Sequence, residues 1–263
     1  WAYNLALFND AERKAVGTAY KQQSKETAIK LGLDYFGLKM RKMVEEVEKL
    51  MTGSRPQLSK AASDNNEQPS TKNILIHCWR GGMRSAGVAW LLDLYGYKVY
   101  TLVGGYKAYR RWVLAQFEKQ YQFNIIGGYT GSGKTPVLKE LEKQQLPVID
   151  LEALAKHKGS AFGALADIPQ PTQEMFENVL AQQLWEVSQK LKETISPGLN
   201  NNYLYHKIYL EDESQRIGNI QLPMPLWLTM RKSPVFFLDI PFEERLNYIT
   251  EEYGRIEKEK LVN

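Results

Sequence analysis

The sequence contains a single cysteine, Cys78, in 263 residues, and it has no long apolar run. One cysteine excludes a disulfide within the chain and favours a reducing, cytoplasmic setting. Because no apolar run reaches about 18 residues, we expect no membrane span. The first residues also lack the basic-then-apolar order of a signal peptide. The net charge of +4 is small, so it permits a polyanionic partner without requiring one.

Hydrophobic periodicity predicts two helices at the start of the chain. Asn9 or Asp10 can cap the first helix, in capping-box spacing with a following glutamate, and Gly32 is expected to end it. The second helix is expected over residues 34–51. Residues 52–72 have almost no large apolar side chains, which predicts an exposed, mobile loop.

Two strand–loop–helix units follow this loop. In the first unit, strands are expected over residues 73–77 and 98–102, and helices over 85–95 and 105–119. In the second unit, strands are expected over 123–126, 147–150 and 235–239, and helices over 134–144, 173–194 and 243–260. Alternation of strands and helices indicates parallel sheets. The sequence therefore predicts an α/β fold with two tandem parallel-sheet domains, residues 1–119 and 120–263.

The second unit carries the stretch G-G-Y-T-G-S-G-K-T between its first strand and helix, and this stretch satisfies G-x-x-x-x-G-K-T. Its glycines let backbone N–H groups approach phosphate oxygens. Lys134 adds positive charge, and Thr135 offers a hydroxyl to Mg²⁺. Pro136 has no N–H to donate, so the site suits a diphosphate as well as a triphosphate. The predicted phosphate-binding residues are Gly128, Gly131, Ser132, Gly133, Lys134 and Thr135.

The first unit carries the stretch H-C-W-R-G-G-M-R-S in the same position, between a strand and a helix. Cys78 lies where backbone N–H groups and the helix dipole favour a thiolate, and Arg80 and Arg84 add positive charge. Such a nucleophile suits two chemistries: transfer of sulfur or selenium, or phosphate ester hydrolysis by attack on phosphorus. A buried structural cysteine is the alternative, which the two arginines and two glycines of the loop disfavour.

These loops and the residues around them resemble the tRNA 2-selenouridine synthases, in which a rhodanese-like domain precedes a P-loop NTPase-like domain. The resemblance covers nearly the whole chain. The matching stretches are L-F-N-D-A-E-R-K-A-V-G-T-A-Y-K-Q-Q-S, H-C-W-R-G-G-M-R-S, L-V-G-G-Y-K-A-Y-R-R, G-G-Y-T-G-S-G-K-T, D-L-E-A-L-A-K-H-K-G-S-A-F-G and E-D-E-S-Q-R-I-G. Family members begin with a further strand and continue beyond Asn263, so the chain is expected to be truncated at both ends with an incomplete first sheet.

The resemblance implies a transferase that acts on 2-thiouridine at the wobble position of tRNA. In the family, a geranyl group from geranyl diphosphate is attached to the sulfur, and selenium from selenophosphate then replaces the S-geranyl group. Cys78 matches the cysteine thought to carry selenium as a selanylsulfide, and the phosphate loop would hold the diphosphate. We therefore expect tRNA and a selenophosphate-supplying enzyme as partners, and no tightly bound cofactor.

Two other functions remain open alongside the resemblance. One is a cysteine-dependent phosphatase fused to a P-loop kinase, because the cysteine loop also fits C-x5-R-S. The other is a module that binds tRNA or nucleotide without catalysis.

Weaker signals add further candidates, each with a structural alternative. An acid at a strand end can hold metal or cap a helix, and a charged run can bind substrate or simply be solvated. An apolar stretch over residues 222–230 suits a prenyl pocket or core packing. The candidates for metal or substrate binding are Asp150, His157, Glu211, Glu213, Arg216 and Asp239. The candidates for tRNA contact, on one predicted helix, are Lys107, Arg110 and Arg111.

Overall fold

The computed structural model describes residues 3–53, 73–158, 169–194 and 207–253. The chain divides into two compact units, residues 1–109 and 110–263. This division falls inside a helix, earlier in the chain than the predicted boundary between residues 119 and 120. The loop predicted over residues 52–72 lies outside the described residues, apart from its first two.

The first unit begins with two helices, α1 (Asp10–Gln22) and α2 (Lys25–Gly53). Asn9 caps α1 as the sequence predicts. Its side chain accepts the backbone N–H of Glu12, and the Glu12 carboxylate accepts the backbone N–H of Asn9, so both halves of the capping box are present. This helix start is a local interaction, which explains why it could be recognised from the sequence.

The predicted break between these helices at Gly32 is wrong, because α2 runs through that residue. The break falls instead at Ser24, whose hydroxyl accepts a hydrogen bond from the backbone N–H of Thr27 and so caps α2. A glycine inside a helix costs roughly 0.5–1 kcal/mol relative to alanine. The burial of α2 side chains such as Phe36 and Met43 outweighs that cost.

A parallel strand pair and its helices complete the first unit, in agreement with the predicted order. The elements are β1 (Asn73–Ile76), α3 (Met83–Leu94), β2 (Lys98–Thr101) and α4 (Gly105–Phe117). The two strands pair in parallel, with Asn73 opposite Lys98. The helix between them is the connection that a parallel pair requires.

The strand pair packs one face against the core of the first unit. Ile74, Ile76 and Val99 lie against that core, whereas Leu75 and Tyr100 point to the opposite face and are exposed. This is the alternation that a strand with one covered face shows. The buried residues of the core are Phe36, Met43, Val44, Val47, Val88, Leu91, Leu92 and Tyr97.

The second unit is built on a three-stranded parallel sheet in the order β4 (Ile208–Glu211), β3 (Phe123–Gly128), β7 (Val235–Leu238). β3 is central, and its residues Phe123 and Ile125 are almost fully buried, as expected for a strand covered on both faces. The elements are β3 (Phe123–Gly128), α5 (Lys134–Lys143), α6 (Leu151–Ala155), α7 (Gln173–Thr194), β4 (Ile208–Glu211), β5 (Arg216–Ile217), β6 (Ile220–Gln221), α8 (Met224–Arg231), β7 (Val235–Leu238) and α9 (Phe242–Tyr253).

The sequence misplaced one strand of this sheet and missed another. The strand predicted over residues 147–150 is reduced to a single bridge between Val148 and Tyr209. Pro147 has no N–H for a ladder, so it contributes only its carbonyl, which accepts the N–H of Tyr209. On this side of β3 the paired strand is β4, which the sequence did not predict. The predicted helix over 243–260 begins at Phe242, and its last residues lie outside the described range.

Among the described residues, no helix combines the length and the apolar content that a bilayer span needs.

Candidate functional site

The cysteine loop of the first unit follows β1 and precedes α3. The Cys78 sulfur is partly buried and lies 3.3 Å from the hydroxyl oxygen of Ser85, which is itself 3.0 Å from the carbonyl oxygen of Gly82. Arg80 is exposed on the same loop, and Arg84 is exposed in the first turn of α3. The structure therefore brings together the three residues that the sequence assigned to this site.

Hydrogen bonds lower the pKa of the Cys78 thiol to about 6. Burial alone raises this pKa, but the Ser85 hydroxyl and the backbone N–H groups of Gly82, Ser85 and Arg80 stabilise the thiolate more strongly. These donors, rather than the arginine charges that the sequence suggested, are the main cause of the shift. At neutral pH the sulfur is therefore mostly a thiolate, the nucleophilic form.

The start of α4 holds the cysteine loop in place. The carbonyl oxygen of Cys78 accepts the backbone N–H of Tyr106, and that of Trp79 accepts the N–H of Lys107, both at 2.9 Å. Gly81 has a φ of +63°, and a Cβ there would lie 2.5 Å from the backbone nitrogen of Gly105. Such a contact is impossible without movement, so the loop requires glycine. The sequence did not predict this support, which comes from Gly105, Tyr106 and Lys107 of the stretch L-V-G-G-Y-K.

The phosphate loop of the second unit follows β3 and leads into α5. The Lys134 ammonium donates to the carbonyl oxygen of Gly128 at 3.1 Å, and the N–H of Ser132 donates to the carbonyl of Tyr129 at 3.0 Å. Gly133 occupies the cap position of α5 and offers no side-chain acceptor to the first N–H groups of the helix. Those donors, together with Lys134, form an anion-binding end.

Helix α9 packs directly against the phosphate loop. Gly131 has a φ of +79°, and a Cβ there would lie 2.7 Å from the Ile249 side chain and 2.8 Å from the carbonyl oxygen of Arg245. The Arg245 guanidinium also donates to the carbonyl of Thr130 at 3.3 Å. The loop is therefore fixed from outside as well as by its own hydrogen bonds.

The sheet places acidic residues beside the phosphate loop, at the carboxyl end of its strands. Glu211 lies opposite Ile126 in the register of β4 and β3, and Glu213 follows it. Both carboxyl groups are buried. The alternative interpretation of this charged run, a solvated surface, therefore does not hold for Glu211 and Glu213. One oxygen of Glu211 accepts the N–H of Glu152 at 2.7 Å, and the other has no partner among the described residues.

Burial favours the protonated form of both of these carboxyl groups. Burial raises the pKa of Glu211 well above its usual range, and the Asp150 carboxylate adds to the effect. Burial and the neighbouring Glu152 raise the pKa of Glu213 to about 8, although the Lys134 ammonium works in the opposite direction. Neutral acids of this kind can donate a hydrogen bond to an anionic ligand.

The remaining candidates for metal or substrate binding have structural partners or lie apart. Asp150 caps α6 by accepting the N–H of Ala153 at 2.7 Å. Arg216 donates to the carbonyl of Gly218 in its own hairpin at 2.8 Å. His157 packs beside Gly218, and its Nδ1 is buried with no partner among the described residues. Asp239 is exposed just after β7.

No group of three or more His, Cys, Asp or Glu side chains that could hold a metal ion occurs within residues 3–53, 73–158, 169–194 and 207–253. Asp212, which follows β4 at the phosphate-loop edge, is paired with Arg231. The acids beside the phosphate loop are therefore ion-paired, capping or buried. Mg²⁺ on the hydroxyl of Thr135 stays a prediction.

The predicted tRNA contacts on α4 differ in their surroundings. The Arg110 guanidinium forms an ion pair with Glu177 and donates to the side-chain oxygen of Asn178 at 2.8 Å, which leaves it partly buried. Lys107 and Arg111 are exposed. The contact of Arg110 with α7 lies within the second unit, and tRNA contact by Lys107 and Arg111 stays a prediction.

The apolar stretch over residues 222–230 contributes to the core. Leu222, Leu226 and Met230 are fully buried in the second unit. These three side chains are therefore unavailable to a prenyl chain.

The fold and the phosphate loop define the class: an α/β protein with parallel sheets, a P-loop in its second unit and a thiolate loop in its first. The family model for the tRNA 2-selenouridine synthase AAA domain matches residues 121–263. The chain belongs to the tRNA 2-selenouridine synthase family.

Named relatives agree with this assignment. The tRNA 2-selenouridine synthase of Bdellovibrio bacteriovorus is 37% identical over 256 residues, which cover 96% of this chain and 59% of that protein. Those of Nitrosomonas eutropha and Nitrosomonas europaea are each 35% identical, over 95% and 96% of this chain, and 58% of each relative is covered. The chain thus spans a little over half the length of these relatives.

One solved structure also matches in sequence. It is the N-terminal domain of a Clostridium difficile 630 protein described as ATP/GTP-binding, and it is 39% identical over 43% of this chain and 74% of that domain. The TM-score is 0.34, so the match supports no argument about the fold.

Proposed function

We propose that the protein converts wobble 2-thiouridine of tRNA to 2-selenouridine through S-geranyl-2-thiouridine. One observation carries the proposal: a single chain of this family holds both a cysteine loop, in which the Cys78 sulfur lies 3.3 Å from the Ser85 hydroxyl and its pKa is lowered to about 6, and a separate phosphate loop. The two chemical steps need these two devices, because geranyl diphosphate must be held by its phosphates and selenium must be delivered by a nucleophilic carrier.

In the first step, the thiocarbonyl sulfur of the nucleoside bonds to C1 of the geranyl group, and the bond from C1 to the diphosphate oxygen breaks. Lys134 and the N–H groups at the start of α5 stabilise the departing diphosphate. Pro136 removes one backbone donor from the first turn, which suits a diphosphate as well as a triphosphate ligand.

An apolar surface beside the phosphate loop suits the geranyl chain. Tyr129 lies in the loop itself, and its ring meets that of Phe237 edge-on, with 5.3 Å between centroids. The Arg245 guanidinium lies over the rings of both Tyr129 and Phe242. All three residues are more than half exposed: Tyr129 by 59%, Phe237 by 52% and Phe242 by 62%. We assign the prenyl chain to these rings instead of the stretch 222–230, whose Leu222, Leu226 and Met230 are buried.

In the second step, selenium replaces the S-geranyl group at C2 of the base, and geranyl thiolate leaves. We assign Cys78 to this step as the selenium carrier, with selenophosphate as the source. The Cys78 thiolate bonds to the selenium, the selenium–phosphorus bond breaks, and phosphorus leaves as phosphite with the electron pair of that bond. An external thiol then forms a disulfide with the Cys78 sulfur, and the selenide released in this way attacks C2. We further propose that the first unit is rhodanese-like, because its cysteine loop follows a parallel strand and precedes a helix. Arg80 and Arg84 would bind the anionic selenium donor at the rim of the loop.

The test incubates full-length protein with tRNA containing 2-thiouridine, geranyl diphosphate and selenophosphate, followed by nucleoside analysis. The expected products are S-geranyl-2-thiouridine without selenophosphate and 2-selenouridine with it. The result that overturns the proposal is hydrolysis of an aryl phosphate together with ATP turnover and no change in the tRNA. That outcome would favour the fused phosphatase and kinase.

A further inference from the structure

Four aromatic rings form a continuous cluster around the cysteine loop, and the proposed chemistry does not use them. The Tyr106 ring lies at the centre, with its centroid 6.0 Å from that of His77 and 5.6 Å from that of Trp79. The Tyr109 ring follows at 5.9 Å from Tyr106. We call these four side chains the aromatic strip. The interplanar angles of 31° to 39° leave tilted faces rather than a closed stack.

The backbone of the cysteine loop holds the strip in place. His77 and Trp79 flank Cys78 in the sequence, and the carbonyl of Cys78 accepts the N–H of Tyr106. The same residues therefore position the thiolate and the rings. Trp79 is 54% exposed and His77 is also exposed, although tryptophan usually covers most of its surface in a folded protein. An exposed indole on a fixed backbone is available to a ligand.

The surroundings of the strip carry positive charge. Between residues 73 and 109 the sequence has one acidic residue, Asp93, and four basic residues. Three of the basic side chains, Arg80, Arg84 and Lys107, belong to the cysteine loop or the adjoining turn of α4, and all three are exposed. A basic rim around aromatic faces suits a ligand that has both phosphates and flat rings.

We propose that the aromatic strip stacks unpaired bases of the RNA substrate, with the basic rim contacting their phosphates. Proteins read single-stranded RNA loops by splaying bases out and stacking them on aromatic side chains. A paired helix buries its bases and would use only the charges. This inference rests on the proposed function for the identity of the substrate, but it concerns binding alone and can fail separately from the chemistry.

The test uses full-length protein and an RNA hairpin whose unpaired loop carries 2-aminopurine, a base whose fluorescence falls when it stacks. Trp79→Ala is expected to weaken binding by about 5- to 100-fold, the range of one lost base–aromatic stack, and to remove the quenching. Trp79→Phe should restore most of both effects. Trp90→Ala is the matched control, because Trp90 is 56% exposed in the same unit and belongs to no ring pair of the strip.

Salt dependence separates the strip from its rim. Lys107→Ala should lower the slope of log affinity against log salt by about 1, whereas Trp79→Ala should leave that slope unchanged. The pH profile of Cys78 alkylation, measured on every variant, checks that the loop itself is intact.

The proposal is overturned if Trp79→Ala binds and quenches the hairpin like the wild type, or if it weakens a fully paired duplex equally. An aromatic strip that serves an apolar chain would give the first of these results. Because the hairpin assay needs no chemistry, its outcome is separate from the nucleoside test. Wild-type protein that binds and quenches the hairpin but leaves 2-thiouridine tRNA unchanged in the nucleoside test would refute the proposed function and leave the strip standing.

Discussion

The cysteine loop and the phosphate loop both connect a parallel strand to a helix, yet they hold their neighbouring acids in opposite protonation states. Around Cys78, hydroxyl and N–H donors converge on the sulfur and lower its pKa to about 6. Beside the phosphate loop, burial without enough donors raises the pKa of Glu213 to about 8. The difference shows that the strand–loop–helix frame does not set the charge of a site. Burial, the hydrogen-bond donors and the neighbouring charges do.

The comparison assigns phosphate binding to one loop only, and replacement of Lys134 tests that assignment. Lys134→Ala should reduce formation of S-geranyl-2-thiouridine by about 100- to 1,000-fold, the usual cost of removing one preorganised charge or donor. Selenium exchange on tRNA that already carries the geranyl group should stay near the wild-type rate. Lys139→Ala, which removes an exposed lysine of the same helix, is the control. Equal losses in both steps would contradict the division of labour.

Helix α9 supports the phosphate loop, and replacement of Gly131 tests that support. Gly131→Ala forces a side chain into a backbone conformation with φ of +79° and against Ile249, so we expect a loss of about 1–3 kcal/mol in the free energy of unfolding. Gly17→Ala is the matched control, because a Cβ there meets nothing within 4 Å in helix α1. That substitution should stabilise by roughly 0.5–1 kcal/mol. Denaturant titration measures both, and an unaffected Gly131→Ala variant would mean that α9 does not constrain the loop.

The raised pKa of Glu213 predicts a pH-dependent stability. Below about pH 4.5 the group is protonated in both states, and its contribution is fully present. Between pH 4.5 and about 8 the unfolded chain releases the proton that the folded chain keeps, so stability falls as the pH rises. Glu213→Gln should remove about 1–3 kcal/mol of this fall, measured as the free energy of unfolding across that window. Parallel wild-type and variant curves would rule out the protonated acid.

The smallest of the expected effects is a rise in the pKa of Cys78 when its hydroxyl donor is removed. Ser85→Ala removes the hydroxyl that lowers the pKa of Cys78 most, so this pKa should rise by about one unit from its value near 6. The rate of alkylation against pH reports this pKa directly. Ser233→Ala, a hydroxyl deletion in the second unit, should leave the profile unchanged. A Ser85→Ala profile identical to the wild type would assign the shift to the backbone donors alone.

Local signals in the sequence were enough for the elements that frame both loops. Short apolar strands followed by glycine-rich loops placed β1, β3 and the helices after them within one or two residues. The capping box at Asn9 was readable because it involves neighbours in the sequence. The break between α1 and α2 was not, because Ser24 competes with Gly32 as a stop, and the packing of Phe36 and Met43 decides between them.

Features that depend on distant residues could not be predicted. The four-residue strand β4 has no turn signature of its own and is defined by its pairing with β3. The burial of Glu211 likewise follows from that pairing. The sequence predicts Arg110 as an exposed cation of a basic helix, but the structure pairs it with Glu177 of α7. The hydrogen bonds from the N–H groups of Tyr106 and Lys107 to the cysteine loop are also contacts between distant residues, which the spacing of residues does not reveal.

Replacement of the cysteine tests the central claim most directly. Full-length Cys78→Ser protein, incubated with 2-thiouridine tRNA, geranyl diphosphate and selenophosphate, should accumulate S-geranyl-2-thiouridine and form no 2-selenouridine. Serine keeps the size and the hydrogen bond to Ser85 but supplies no thiolate, so the loss would report the sulfur alone. A variant that still forms 2-selenouridine at the wild-type rate would contradict the role of Cys78 as the selenium carrier.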